Sequence, residues 1–206
     1  MKQLVVLCYP LSRNMGQLVW AELSAMYEKY KLDFEVRDLY QIGFNPVNYE
    51  YTTAMVNGSV SEDILIEQEH ILNADCITFI YSSRLIGMPA LLKGYLDLVF
   101  SEGFAYLSTD KGVKKLLKGK KVIIVNTFDQ ISNANTIADY SNHVSMCEKR
   151  LFEFCGMEVI LHYYIDKLFN TDKNSLKTTI KSMIIEMKKT LVLSKNSHLT
   201  IPPAFF

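Results

Sequence analysis

Three short polar runs, each placed at the end of an apolar stretch, hold the residues of this chain best suited to chemistry. Ser12, Arg13, Asn14 and Met15 follow the first apolar stretch; Ser82, Ser83, Arg84, Leu85 and Ile86 follow a second; Asn126, Thr127, Phe128 and Asp129 close a third. The hydroxyl, guanidinium and amide of Ser12, Arg13 and Asn14 can donate to an anion such as a phosphate. A helix N-terminus directly after them would add unpaired N–H groups and the positive end of its dipole. The same Ser12 or Asn14 would serve equally well as a plain helix cap. The run Ser82–Ile86 offers hydroxyls and backbone groups to the polar edge of a flat ligand, and Gly87 permits close backbone approach. No nucleophile and base accompany these runs at recognisable spacing. Tyr140 and His143 fall on a predicted helix and receive no catalytic role, while His70, His162 and His198 are isolated and lack metal-ligand spacing. Catalytic residues are therefore left unassigned, and no metal is expected.

The elements that must position these runs alternate in type. QLVVLC (Gln3–Cys8), CITFIY (Cys76–Tyr81) and KVIIVN (Lys121–Asn126) are continuous apolar stretches, as strands buried on both faces should be. FEVRDL (Phe34–Leu39) alternates, and MEVILHY (Met157–Tyr163) supplies a fifth strand. Helical spacing of apolar residues predicts helices over Gly16–Tyr30, from Ser61 or Glu62 to Asn73, from Pro89 to Phe100, over Thr136–Phe154 and over Asn174–Leu193. A tyrosine-rich loop is expected from Tyr40 to Val60, and a Gly- and Lys-rich loop before Lys121. Five strands alternating with five helices predict a doubly wound parallel sheet covered on both faces. Such sheets bind ligands beyond the carboxyl ends of their strands, which is where all three polar runs fall. The ligand loops are expected at Tyr9–Met15, Ser82–Met88 and Thr127–Asn135.

The 206 residues carry 22 basic and 22 acidic side chains, a balance that gives no reason to expect a nucleic-acid partner. One domain over 1–206 is expected. No stretch is long and apolar enough for a membrane span, and no signal peptide is expected from the residues after Met1. The cysteines, Cys8, Cys76, Cys147 and Cys155, form no Cys-x-x-Cys pair, and Cys8 and Cys76 read as buried core thiols of a cytoplasmic protein. There is no G-x-G-x-x-G, so a dinucleotide fingerprint is not favoured.

The stretch GMPALLKGYLDLVFSEGFAY (Gly87–Tyr106) closely resembles the helix and loop of the flavodoxin-like NAD(P)H:quinone oxidoreductases. That family includes the modulator-of-drug-activity type and the reductase-like ancillary subunits of potassium efflux systems. Three further segments agree in order: Asp38-Leu39-Tyr40 with Phe44-Asn45-Pro46, Glu67-Gln68-Glu69 with Ala74-Asp75, and Phe154-Cys155-Gly156. The resemblance covers roughly residues 3 to 163. It implies a flavodoxin-like sheet of strand order 2-1-3-4-5 and a bound flavin, FMN or FAD. NADH or NADPH would reduce the flavin, and a quinone-like acceptor would take the electrons at the same face. Ser12, Arg13, Asn14 and Met15 would lie at the flavin phosphate, and Ser82 to Ile86 along the ring. A homodimer is implied as well, with Tyr106 reaching the partner's site.

Two ring loops depart from the family pattern. An aromatic pair is replaced at Ser82–Ile86, where Arg84 could face an anionic substrate or the reduced flavin, or simply solvent. Small residues after the fourth strand are replaced by Phe128 and Asp129, and a carboxylate there would disfavour an anionic reduced ring. These departures support an alternative: a regulatory or ancillary scaffold, such as a transporter subunit, with weak or lost flavin binding. A single-electron flavodoxin fits less well, since such proteins are strongly acidic. The apolar tail Leu199–Phe206 could pack on its own domain or on a partner.

Overall fold

A computed structural model describes residues 1–10, 15–47, 60–83, 87–128, 148–166 and 173–196. The elements are β1 (Gln3–Cys8), α1 (Met15–Lys29), β2 (Phe34–Asp38), α2 (Glu62–Asn73), β3 (Cys76–Ser82), α3 (Ala90–Val99), β4 (Tyr106–Thr109), β5 (Gly112–Lys115), β6 (Lys121–Phe128), α4 (described over 148–155), β7 (Glu158–Asp166) and α5 (Lys173–Asn196). Five strands form one sheet in the order β2-β1-β3-β6-β7, every neighbouring pair parallel. Counted along the sheet strands alone this is 2-1-3-4-5, the order that the family resemblance implies. β4 and β5 form a separate antiparallel hairpin.

Strand parity sorts the core into two layers. Val5, Leu7, Ile80, Ile123 and Val125 point to α1 and α5, where Val19, Leu23, Tyr27, Met183 and Met187 meet them. Leu4, Val6, Phe79, Val122 and Ile124 point the other way, onto Ile71, Tyr95, Leu96 and Phe152 of α2, α3 and α4. All six residues of β1 are buried, so each apolar side chain there contributes roughly 1.5–3 kcal/mol of transfer free energy, and none alternates.

Most element ends shift by a residue or a few from the sequence reading, and the structure departs from it further around β6, β7 and the loop before Lys121. β6 runs on through Thr127 and Phe128, because Thr127 pairs with Ser82 and Ile165 in the ladder and both added residues are buried. β7 extends to Asp166, with a register irregularity between Val122 and Ile123 of β6. The loop expected before Lys121 contains the β4–β5 hairpin, whose exposed Ser, Thr and Lys side chains carry no apolar alternation. Of the helix predicted over 136–154 only its final part is described. The tail from Leu199 lies outside the described residues, as does Cys147. Cys8, Cys76 and Cys155 are free and buried, as read for the first two.

Candidate functional site

The carboxyl ends of the middle strands bring four of the expected residues into one hydrogen-bonded group. Cys8, Tyr81, Asn126 and Tyr164 lie in one row across β1, β3, β6 and β7, and Ser82, Thr127 and Ile165 form the next. The hydroxyls of Ser82 and Thr127 are 2.8 Å apart. Thr127 Oγ1 also donates to the Tyr81 carbonyl at 3.3 Å. Ser83 N–H donates to the Thr127 carbonyl at 2.9 Å, and Ser83 Oγ donates to Asn126 Oδ1 at 2.7 Å. Ser82, Asn126 and Thr127 are buried, and Ser83 is half-buried at the rim. Phe128 turns its ring onto Tyr164, centroids 6.0 Å apart, and is 2% exposed. The side chain that fills the place of a small residue is therefore packed away against β7.

Below this rim lies a buried polar group that the sequence reading missed. Asn126 Nδ2 donates to Tyr81 Oη at 3.2 Å, and Tyr81 O–H donates in turn to Glu148 Oε1 at the start of the described part of α4. His162 Nε2 lies 3.2 Å from Glu148 Oε2, at ion-pair distance but not aligned as a hydrogen bond. The His162 ring stacks on Tyr164 with centroids 4.4 Å apart. Glu148 is 3% exposed. His162, read from the sequence as isolated, thus faces a buried carboxylate. His70 likewise pairs with Glu35, at 2.8 Å. Strand parity read along β7 offers no signal: it puts Val159 and His162 on opposite faces, and only the register irregularity, which leaves Ile160 extra, brings His162 and Tyr164 onto the face of Val159.

At the other end of the candidate site, Met15 begins α1 and is 4% exposed, and no acidic side chain occupies the helix's first turn. The Tyr9 ring lies across the start of α1; a Cβ on Gly16 would fall 2.5 Å from its Cδ1. Burial, and secondarily the Asp38 carboxylate, raise the Tyr9 phenol above its ordinary range. Burial pushes the Cys8 thiol up to about 12, so it stays protonated and is no nucleophile at neutral pH. Ser12, Arg13, Asn14, Arg84, Leu85, Ile86 and Asp129 lie outside the described residues, as do Tyr140 and His143.

Tyr106 does not join this group within its own chain. Its ring packs edge-on against Phe154, with centroids 4.9 Å apart. Phe154 stands near the end of α4 remote from Glu148, beside Cys155, whose carbonyl accepts from Leu117 N–H just before β6 begins. That is the amino edge of the sheet. Among the described residues no group of His, Cys, Asp and Glu could hold a metal ion. No helix among them is long and apolar enough to cross a membrane.

Comparison with known proteins agrees with this layout. The family described as having a flavodoxin-like fold matches residues 1–190. An uncharacterized NAD(P)H oxidoreductase of Haemophilus influenzae is 31% identical over 188 residues, covering 88% of this chain and 91% of that protein. The FMN-dependent NADH:quinone oxidoreductase 2 of Listeria innocua is 29% identical over 98 residues, 48% of this chain and 46% of its own length. Among solved structures, an FMN-dependent NADH-azoreductase from Bacillus anthracis in complex with FMN superposes with a TM-score of 0.75 at 17% identity, covering 92% of this chain and 98% of that one. An NAD(P)H:quinone oxidoreductase from Methanothermobacter marburgensis superposes with a TM-score of 0.72 at 20% identity, covering 88% and 94%. At such identities the superpositions speak for the fold, and the sequence matches speak for kinship: the chain belongs to the flavodoxin-like family that includes the NAD(P)H:quinone oxidoreductases.

Proposed function

We propose that this protein is a flavin-dependent NAD(P)H oxidoreductase that binds FMN and reduces quinone-like acceptors. The observation that carries this reading is the rim formed by Ser82, Ser83, Asn126 and Thr127 at the carboxyl ends of β3 and β6. Its hydrogen-bonding groups are neutral, and Ser83 is half-exposed among them. That chemistry fits the polar edge of a flat heterocycle. The start of α1, free of acidic side chains in its first turn, fits a phosphate. The relatives named above are NAD(P)H oxidoreductases, FMN-dependent in one case, and none of them favours the ancillary-scaffold alternative.

In this reading Ser12, Arg13, Asn14 and the N–H groups around Met15 hold the phosphate. Ser82 to Ile86 and the backbone of Asn126 to Asp129 border the ring. Bound FMN supplies the hydride chemistry between the nicotinamide and the acceptor. Tyr9 and Met15 close the floor between phosphate and sheet, excluding water from it. We further propose that the protein is a cytoplasmic homodimer acting as one domain, a setting that suits its free thiols.

The test is the visible absorption spectrum of the protein purified without added flavin, followed by titration with FMN. A yellow protein, or tight one-to-one uptake of FMN with NAD(P)H-dependent quinone reduction, is the expected result. A colourless protein that ignores both FMN and FAD would overturn the reading.

A further inference from the structure

The hairpin β4–β5 and its flanks hold an uneven share of this chain's charge. From Glu102 to Lys121 there are six lysines and two carboxylates, although the whole chain balances 22 basic against 22 acidic side chains. Two of these lysines are committed elsewhere. Lys120 Nζ donates to the Leu72 and Ala74 carbonyls, at 2.7 Å each, at the end of α2, and Lys121 stands in β6 beside Glu158 of β7. Lys111, Lys114, Lys115 and Lys118 are exposed, and among the described residues none of them lies within ion-pair distance of a carboxylate. Of the two carboxylates, Glu102 accepts from the Ser108 N–H at 2.9 Å and Asp110 stands at the turn. The tip of the hairpin therefore carries a positive field that the fold leaves largely uncompensated.

The same ribbon exposes aliphatic side chains. Every residue from Leu107 to Lys115 is exposed. Leu107 pairs with Lys114 and Val113 with Ser108 on adjacent rungs of an antiparallel ladder, so the two aliphatics stand on opposite faces. A rigid protein surface laid on one face would cover one of them and leave the other wet, whereas a fluid medium that closes around the tip covers both. The cations are all lysines, point charges on flexible stems, without the planar guanidinium that suits nucleic-acid edges. The ribbon's aromatic ring, Tyr106, packs on Phe154 instead of standing out for base stacking. A hairpin-to-hairpin contact with a second copy would set lysine against lysine. Mobile anionic headgroups above an acyl layer satisfy both the charges and the aliphatics.

We propose that the tip of the β4–β5 hairpin is a peripheral docking element for an anionic lipid bilayer. Lys111, Lys114 and Lys118 attract the headgroups, and Leu107 and Val113 enter the interfacial layer. The inference stands apart from the flavin reading. The hairpin leads into the amino end of β6, while the Ser82–Thr127 rim lies at the carboxyl ends of β3 and β6. Docking at one edge of the sheet thus leaves the rim at the other edge open to ligands dissolved in water.

The test is co-sedimentation of the full chain with vesicles of phosphatidylcholine alone and with vesicles containing about one third phosphatidylglycerol. The wild type is expected to partition onto the anionic vesicles at least about tenfold better than onto the neutral ones, and to be released as salt is raised. The variant K111Q/K114Q/K118Q is expected to lose about a hundredfold in partition, from about fivefold per lysine. The variant L107S/V113S keeps the charges and is expected to lose about tenfold. Both change exposed side chains, and unchanged far-ultraviolet circular dichroism checks that they fold. If L107S/V113S does not fold, L107W takes its place, and its added emission is expected to shift to the blue on anionic vesicles alone. Three results overturn the proposal: no vesicle binding, equal binding to neutral and anionic vesicles, or anionic binding unchanged in the lysine variant. Retention on a nucleic-acid duplex without vesicle binding overturns it in favour of a soluble polyanion. A dimer that ignores vesicles and protects the hairpin amides from exchange overturns it in favour of a second copy. Anionic-vesicle binding that the lysine variant loses, in a protein that takes up no flavin, supports the docking and counts only against the flavin reading.

Discussion

Gly94 shows why a family motif can be read correctly and still say nothing about chemistry. It sits within α3, where an alanine would ordinarily gain up to about 1 kcal/mol of helix propensity. A Cβ there would lie 2.4 Å from Pro46 Cβ and 2.6 Å from the Pro46 carbonyl oxygen. Backbone on one side and a helix on the other cannot both yield, so sterics outweigh propensity. Gly94→Ala is expected to destabilise by roughly 1–3 kcal/mol, read as a lowered thermal midpoint with unchanged secondary structure. Burial pushes the thiols of Cys8 and Cys76 each up to about 12. The folded state then holds these protons more tightly than the unfolded chain. Their contribution is complete below the unfolded thiol's range of roughly 8.5 and is lost as pH rises toward the folded value. Urea midpoints should therefore fall between pH 8 and pH 11, and Cys76→Ala should flatten that fall even though its cavity lowers stability at pH 8. At this scale the sequence was legible where burial alone decides, as for these two thiols. It was not legible at Tyr81, Glu148 and His162. Those residues lie on three separate elements, and their meeting depends on strand register and helix placement that no local spacing encodes.

The motifs that carried the family resemblance turn out to be joints between elements. Glu67 on α2 receives Arg37 of β2 through Nε at 2.9 Å and through Nη2, and Tyr95 of α3 donates to it at 3.2 Å. Its neighbour Gln68 donates to the Val99 carbonyl at 3.0 Å and to Ser101 at 3.2 Å, satisfying a carbonyl at the end of α3. Asp38 caps the turn after β2 by accepting from the N–H groups of Tyr40 and Gln41. Phe44 then packs on Tyr95, with ring centroids 5.1 Å apart. These contacts clamp β2, α2 and α3 into one layer. Glu67→Gln keeps the shape but leaves the Arg37 cation facing a neutral amide beside the buried Tyr95 hydroxyl. The expected cost is about 2 kcal/mol in urea unfolding, the range for disturbing a buried charged hydrogen bond. Arg37 retains some access to water, which holds the loss below that of a fully buried pair. A Glu67→Gln variant as stable as the wild type would show that the joint is held by packing alone. Continuous apolar runs and helical spacing disclosed these elements before their contacts were known. The β4–β5 hairpin escaped notice because its stability comes from backbone pairing and the anchoring of Leu116 N–H on the Ala105 carbonyl, neither of which leaves an apolar pattern.

For the whole molecule, the right-handed alternation of strand and helix decides which residues share an edge, and this is what the sequence expressed most clearly. It places the rim residues at the carboxyl edge, and it places Tyr106 at the amino edge against Phe154. A single copy therefore cannot bring Tyr106 to its own rim, and any role at a flavin requires a second copy whose hairpin crosses over. Phe154 is 44% exposed and Leu107 and Val113 of the hairpin are 41% and 43% exposed, so this end of the molecule retains apolar surface that a partner could cover. If a second copy supplies Tyr106, light scattering should give twice the 23.6 kDa chain mass at micromolar concentration. Tyr106→Ala should then weaken FMN binding by roughly tenfold while leaving the dimer intact, given about 1–3 kcal/mol for aromatic contact with a flat base-like ring. Mixing Y106A with a variant disabled only at the rim, such as Asn126→Leu, should restore one good site per mixed dimer, because each intact half comes from a different chain. A monomer in solution, or mixed dimers no better than their parents, would leave Tyr106 as a packing residue for Phe154 and nothing more.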